Sequence, residues 1–394
     1  MSFHDPQTQA DYIRQCLSHD KRPLGVFIGA GCPTSIKVDI TGTKAPLIPD
    51  IAGMTARVNA LMLASSQKPA YELVLSHFAS DGLAAPNVEA VLSHVRFLKQ
   101  VAGKDKARGI SADEADKLDI AICEELFKMA NVELPSPETP YHHLAAWTGS
   151  INRAFPVEFF TTNYDLLLEE ALETNRVPYF DGFVGSKSSF LDLQAMEGDP
   201  LPARWARVWK IHGSLNWAED KNGNIHRGTA ASSTRRLIYP SHLKYDESRR
   251  MPYLAMLDRL RAFLKQSACV LIISGFSFGD DHLNEIIVQG LQGNSSAAAF
   301  ALMYGSLDSY PRLVDLARNR ANLSVLAADK AVIGTRLGEW TKGKPAGYGQ
   351  NSLAIQWIDD PAAPGTNKAI FLLVDFRAFA AFSADLIGQQ KMGA

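Results

Sequence analysis

The chain has 394 residues, 46% of them hydrophobic, and its 40 Lys and Arg stand against 42 Asp and Glu. That length and apolar content suffice for a full-sized core, and the near-neutral balance excludes the global field that draws proteins onto nucleic acid or an anionic membrane. Small ligands and protein partners are the expected company, with no direct binding to nucleic acid or membrane. The four cysteines, Cys16, Cys32, Cys123 and Cys269, lie far apart and form no zinc-ligand spacing, so no structural metal is expected. Met1 to Leu17 is polar, and no run of about 18 apolar residues occurs. A cytosolic protein with reduced thiols is predicted.

Six short apolar runs bounded by turn residues predict strands at Leu24 to Ile28, Val157 to Thr161, Val208 to Ile211, Val270 to Ser274, Ala298 to Tyr304 and Leu323 to Ala327. Continuous apolar runs suit parallel strands covered on both faces. Helical periodicity follows several of them, as in Leu166, Leu167, Ala171 and in Leu283, Ile286, Ile287, Leu291. The alternation predicts an α/β fold: a Rossmann-type, doubly wound parallel sheet whose ligand crevice lies beyond the carboxyl ends of the strands.

The first and second strands are separated by far more chain than a crossover needs. Ile51 to Ser65, Ala70 to Phe78, Val88 to Val101, Ala112 to Met129 and Tyr141 to Phe155 read as helices, so a large helical insertion over about 51–155 is expected beside the crevice. Pro178 to Asp246 reads as loops and short strands. From Ile333 onward the α/β rhythm stops, with Gly/Pro-rich Gly343 to Gly349 and Pro361 to Thr366 flanking a further strand at Leu353 to Ile358. The division expected is a catalytic unit over 1–330 and a C-terminal extension over 331–394. The extension's apolar tail, Ala369 to Ile387, serves either a subunit interface in a homo-oligomer or the chain's own core.

Each strand end carries chemistry. Gly29-Ala30-Gly31 lets the backbone turn sharply and come close to a pyrophosphate, although the same glycines also make an ordinary tight turn. Thr161-Thr162-Asn163-Tyr164-Asp165 places an amide and a carboxylate where a helix begins, a position that helix capping alone also favours. His212, followed by Gly213-Ser214, presents an imidazole suited to proton transfer near neutral pH. Ser274-Gly275-Phe276-Ser277-Phe278-Gly279-Asp280-Asp281 can line a nucleotide, or Asp280 or Asp281 can simply cap the next helix. His282 and Asn284 follow, facing the insertion.

Taken in order, Gly29-Ala30-Gly31, Pro49-Asp50, Thr162-Asn163-Tyr164-Asp165, His212-Gly213-Ser214 and Gly275-Phe276-Ser277-Phe278-Gly279-Asp280 resemble the signature series of the sirtuin family, over roughly Leu24 to Ala327. The forms are closest to the bacterial sirtuin-like branch of anti-phage defence. The resemblance implies NAD+ as the substrate, with Gly29, Ala30 and Gly31 at its pyrophosphate. Asn163 would orient the nicotinamide ribose and a water, and His212 would act on the ribose hydroxyls or the water. Thr162 and Asp165 would neighbour the ribose, Asp50 the nicotinamide pocket, and Ser274, Gly275, Phe276 and Ser277 the adenosine half.

Pro49-Asp50 is followed by Ile51-Ala52 where deacylating sirtuins have Phe-Arg, and their four-cysteine zinc module is missing. The expected reaction is therefore hydrolysis of NAD+ to nicotinamide and ADP-ribose. A protein deacylase or ADP-ribosyltransferase, and a nucleotide-binding sensor without turnover, are the alternatives. The resemblance also implies a separate partner, a HerA-type hexameric ATPase in preference to an Argonaute.

Overall fold

Short apolar runs that end in glycine or a polar residue become the strands of one ten-stranded sheet. The computed structural model describes residues 2–40, 42–82, 85–135, 138–198, 201–220, 222, 224–228, 235–238, 251–343, 352–360 and 363–390. In chain order the strands are β1 (Ser2–His4), β2 (Leu24–Ile28), β3 (Val157–Thr161), β4 (Tyr179–Phe180), β5 (Ala206–Lys210), β6 (Val270–Ser274), β7 (Ala298–Met303), β8 (Leu323–Ala327), β9 (Lys330–Ile333) and β10 (Arg336–Trp340). They lie in the order β1-β10-β9-β8-β7-β6-β2-β3-β5-β4. Pairing is parallel from β8 through to β4, and the hairpin of β9 and β10 is antiparallel. The six strands expected from the sequence are all present, arranged as β8-β7-β6-β2-β3-β5. This is the doubly wound order, with its switch point between β2 and β6.

Alternate residues of these strands enter two separate cores. Val26 and Ile28 of β2, Phe159 of β3, Val208 of β5 and Ile272 of β6 join one core. Phe27, Phe160, Trp209 and Ile273 join the other. With a side-chain period of two, both faces must be covered, and burial of every residue of β2, β5 and β6 follows.

The first face carries the helical insertion and the chain ends. Its helices run Ile51–Ala64, Lys68–Ser80, Val88–Ala102, Ala112–Ala130 and Pro140–Ser150. Start signals are explicit: Asp50 and Asn87 cap two of them, and Ser111 with Glu114 forms a capping box on a third. The last helix stops at Ser150, short of the expected Phe155. Beyond it the Arg153 guanidinium is drawn away to the carbonyls of Leu17 and His19. The second face is covered by the helices Tyr253–Lys265, Asp281–Gly293 and Pro311–Arg318.

Where described, Pro178 to Asp246 holds a short helix, Leu193–Glu197, that was not expected, together with loops and short strands, including Gly213–Glu219 paired with Ile225–Arg227 and Arg235–Ile238. Its end, and most of Gly343 to Gly349, lie outside the described residues. Beyond residue 330, β9 and β10 extend the central sheet, and β1 pairs parallel to β10. The strand expected at Leu353 to Ile358 runs Ile355–Asp359, against Asn367–Phe371.

Of the two roles open to the tail, the chain's own core is the one it fills. Phe371, Leu373, Phe376, Phe379, Phe382 and Leu386 are all buried in the core of the first face. The helix Phe376–Gln390 packs on Pro140–Ser150, with the Phe376 and Tyr141 rings 5.1 Å apart. These apolar side chains complete the chain's own core and are not available to a second subunit.

Candidate functional site

Register brings the strand ends to one edge. Lys210 lies level with Thr161, Thr161 with Ile28, Ile28 with Ser274, and Ser274 with Leu302. The residues that follow therefore emerge side by side into a cleft of about 740 Å³. Ala30, Gly31, Thr162, Asn163, Asp165, His212, Gly275, Phe276 and Ser277 line it, and Asp50, Met54, Asn87 and Glu89 close it from the helical insertion. Of the site residues expected from sequence, Gly29 and Ser274 are not in the lining.

Gly29 and Ser274 instead join two turns beneath the cleft. The Gly29 N–H donates to the Ser274 carbonyl (2.9 Å) and the Gly31 N–H to that of Gly275 (2.8 Å). A Cβ on Gly29 would sit 2.3 Å from the Gly275 oxygen, a contact that only glycine avoids. The N–H groups of Gly29, Gly31 and Cys32 are thus satisfied within the protein, so these glycines serve the close approach of the two turns. The Cys32 thiol donates to the Ser274 carbonyl (3.3 Å), and burial pushes its ionisation far up, leaving it inert.

Asn163 is locked by its neighbours. The Thr161 hydroxyl donates to the Ile28 carbonyl (2.8 Å) and accepts from the Asn163 N–H (2.9 Å), while Asn163 Nδ2 donates to the Gly29 carbonyl (3.1 Å). The side chain is buried and still lines the cleft. Asp165, just ahead of its helix, accepts from the Leu167 N–H (3.1 Å), and burial pushes its carboxyl up to about 6 against the opposing pull of Lys210. Lys210, itself buried, pairs with Glu169 (2.9 Å) and donates to the Asp165 carbonyl, tying the end of β5 to the helix Leu167–Thr174. Asp50 caps Ile51–Ala64 through the Gly53 N–H (2.8 Å) at the cleft rim.

The turn after β6 is shaped by left-handed backbone at Gly275 and Phe278. A non-glycine residue there costs about 1 kcal/mol or more. Stacking of Phe276 on Phe27 and on Phe278, with ring centroids 4.8 and 4.9 Å apart, holds the turn down. Asn284 is buried and donates to the Phe278 carbonyl (2.7 Å), whereas His282 lines the cleft. Asp280 caps Asp281–Gly293 through the N–H groups of His282 and Leu283, and its other carboxylate oxygen lies 3.3 Å from His212 Nε2. Among the described residues no group of three or more His, Cys, Asp or Glu is placed to hold a metal ion, and no helix is long and apolar enough to cross a membrane.

Residues 157–325, from β3 to β8, match the SIR2-like domain family. Over that span the chain is similar to this family. Comparison with curated proteins finds no match. Among solved structures the chain is similar to one described under the mechanism and regulation of Sir2 enzymes, at 12% identity and a TM-score of 0.35, covering 76% of this chain and 86% of that one. It is also similar to a mutant Sir2 homologue with ADP-ribose (14% identity, TM-score 0.31, 76% and 87% covered). A third is a Sir2 homologue with NAD (15% identity, TM-score 0.30, 76% and 85% covered).

Asn163, His212 and the turn Gly275 to Asp280 fall inside the matched span, whereas Gly29 to Gly31 and the helical insertion precede it. Sequence reasoning missed the bonding role of Thr161, the Lys210–Glu169 pair at the end of β5, and Tyr304 and Tyr310 as cleft walls. A lysine closing an apolar strand was the available signal for the buried pair, because such a charge needs a partner. Tyr304, 70% exposed, carried no signal beyond ending a strand.

Proposed function

We propose that the chain hydrolyses NAD+ to nicotinamide and ADP-ribose. The observation that carries the reading is that Asn163 and His212 face one cleft at the switch point of a doubly wound sheet, within the span that matches the SIR2-like domain family. A water oxygen bonds to the anomeric carbon of the nicotinamide ribose. The glycosidic C–N bond breaks, its electron pair leaves with nicotinamide, and the water's proton passes to His212 or solvent.

The oxocarbenium-like transition state is cationic. The carboxylates of Asp50, Glu89, Asp165, Asp280 and Asp281 lie around this cleft, and no Lys or Arg is among its described lining residues. Asn163, held by two hydrogen bonds, from its N–H to the Thr161 hydroxyl and from Nδ2 to the Gly29 carbonyl, is suited to holding the water in line. Met54, Asn87 and Glu89 of the helical insertion wall one side of the cleft, a narrowing that favours water over an extended peptide.

The likeness of the motifs to the anti-phage branch supports a setting in which this reaction depletes NAD+ during phage attack. We extend the proposal to a homo-oligomeric assembly and to a HerA-type hexameric ATPase as its partner. The test is incubation of the chain with NAD+, alone and with that partner, with and without an acetylated peptide. Nicotinamide and ADP-ribose in equal amounts, independent of peptide, are expected. O-acetyl-ADP-ribose without free ADP-ribose would replace hydrolysis by deacylation, and binding without products in every arm would leave a sensor.

A further inference from the structure

His212 and Asp280 come from strands that are not neighbours: β5 and β6 are separated in the sheet by β3 and β2. At about 4.8 Å per strand this is roughly 14 Å, and the turn after β6 spans it. Several features aim that turn. The backbone is left-handed at Gly275 and Phe278, the Phe278 carbonyl is held by Asn284, and the Phe276 ring is clamped between Phe27 and Phe278. Asp280 at its end is buried. Its Oδ1 accepts from the N–H groups of His282 (3.2 Å) and Leu283 (3.3 Å), and its Oδ2 lies 3.3 Å from His212 Nε2.

Capping a helix uses one oxygen, and Ser or Asn would do it as well. The second oxygen is what an aspartate adds here. We propose that Asp280 is the positioning residue of His212, fixing the proton on Nε2 and leaving Nδ1 as the basic nitrogen. An ionised carboxylate only accepts hydrogen bonds, so the ring nitrogen beside it carries the hydrogen and the other keeps its lone pair. The role rests on the reading that His212 serves NAD+ cleavage; the pairing itself does not.

Two variants keep the cap and remove the carboxylate. In Asp280→Asn the amide oxygen still caps the helix, but the NH2 group faces Nε2 and turns it into an acceptor, so the proton moves to Nδ1. In Asp280→Ser the hydroxyl caps and reaches no further. Protein labelled with 15N-histidine, with the His212 signal assigned by its loss in His212→Asn, should show the Nε2–H tautomer in the native chain, the Nδ1–H tautomer in Asp280→Asn and a mixture in Asp280→Ser. An unchanged tautomer in both variants overturns the proposal.

In the nicotinamide-release assay Asp280→Asn should lose about 100- to 10,000-fold in kcat, as for a base held in the wrong tautomer, and Asp280→Ser, with its mixed tautomers, only a few-fold, each with KM within about threefold and melting temperature kept. Native turnover in Asp280→Asn beside an inactive His212→Ala also overturns it. Native turnover in His212→Ala removes the positioning role together with the functional reading of the site, and the spectra then report on the pairing alone.

Discussion

Asn163 and Asp165 are two residues apart and answer to different physics. Asn163 is buried and donates to the Gly29 carbonyl, so Asn163→Ala should cost about 1 kcal/mol in stability. It should also lower nicotinamide release by about 100- to 10,000-fold, as should His212→Ala; a folded variant of either that releases nicotinamide normally would remove it from the reaction. Asp165 has its carboxyl pushed up to about 6 from an ordinary value near 4, so the folded chain holds this proton more tightly than the unfolded chain. The stability this lends is full below about pH 4 and lost as pH rises through about 6. Asp165→Asn keeps the oxygen that accepts from the Leu167 N–H and abolishes the titration. It should raise unfolding free energy by about 1–3 kcal/mol at pH 7 and by little at pH 4 in urea titrations, and an equal gain at both pH values would refute the assignment.

At the level of elements, the site is held together by two cross-links, one from a strand end to a helix and one between two turns. The Lys210–Glu169 pair joins β5 to the helix that starts beside Asn163, with both side chains out of solvent. Lys210→Met leaves the Glu169 charge buried without its cation and should destabilise by about 3–5 kcal/mol, whereas Lys210→Met combined with Glu169→Leu should recover most of that loss. Equal denaturation midpoints for the single and double variants would show that the pair is not coupled. The second cross-link is the close approach of the turns after β2 and β6. Gly29→Ala would force a methyl to 2.3 Å from the Gly275 oxygen and should part the turns, with loss of NAD+ turnover and a lower melting temperature.

Across the whole molecule the chain ends close what the insertion opens. The Asn367–Phe371 strand and the final helix fill the first-face core beside Pro140–Ser150, and Phe371, Phe379 and Phe382 are fully buried. Deleting the chain after Thr366 should therefore yield aggregated or unfolded protein, and Phe379→Ala alone should cost about 3–5 kcal/mol. A truncated chain that stays soluble, with an unchanged circular dichroism spectrum, would show that the tail is dispensable to the core.

Continuous apolar runs such as Val270–Ser274 can be satisfied only where both sheet faces are covered, so strands, parallel pairing and the doubly wound order were legible from residue type and spacing. The same holds for the strand-end positions of Asn163 and His212 and for the insertion helices, whose caps are local. Two places needed the tertiary structure. The tail's phenylalanines read alike for a subunit interface and an internal core, because burial is a property of what packs against a surface and not of the surface itself. Asp280 read as a helix cap, which it is. That its second oxygen meets His212 depends on a turn crossing two intervening strands, and no spacing along the chain encodes that distance.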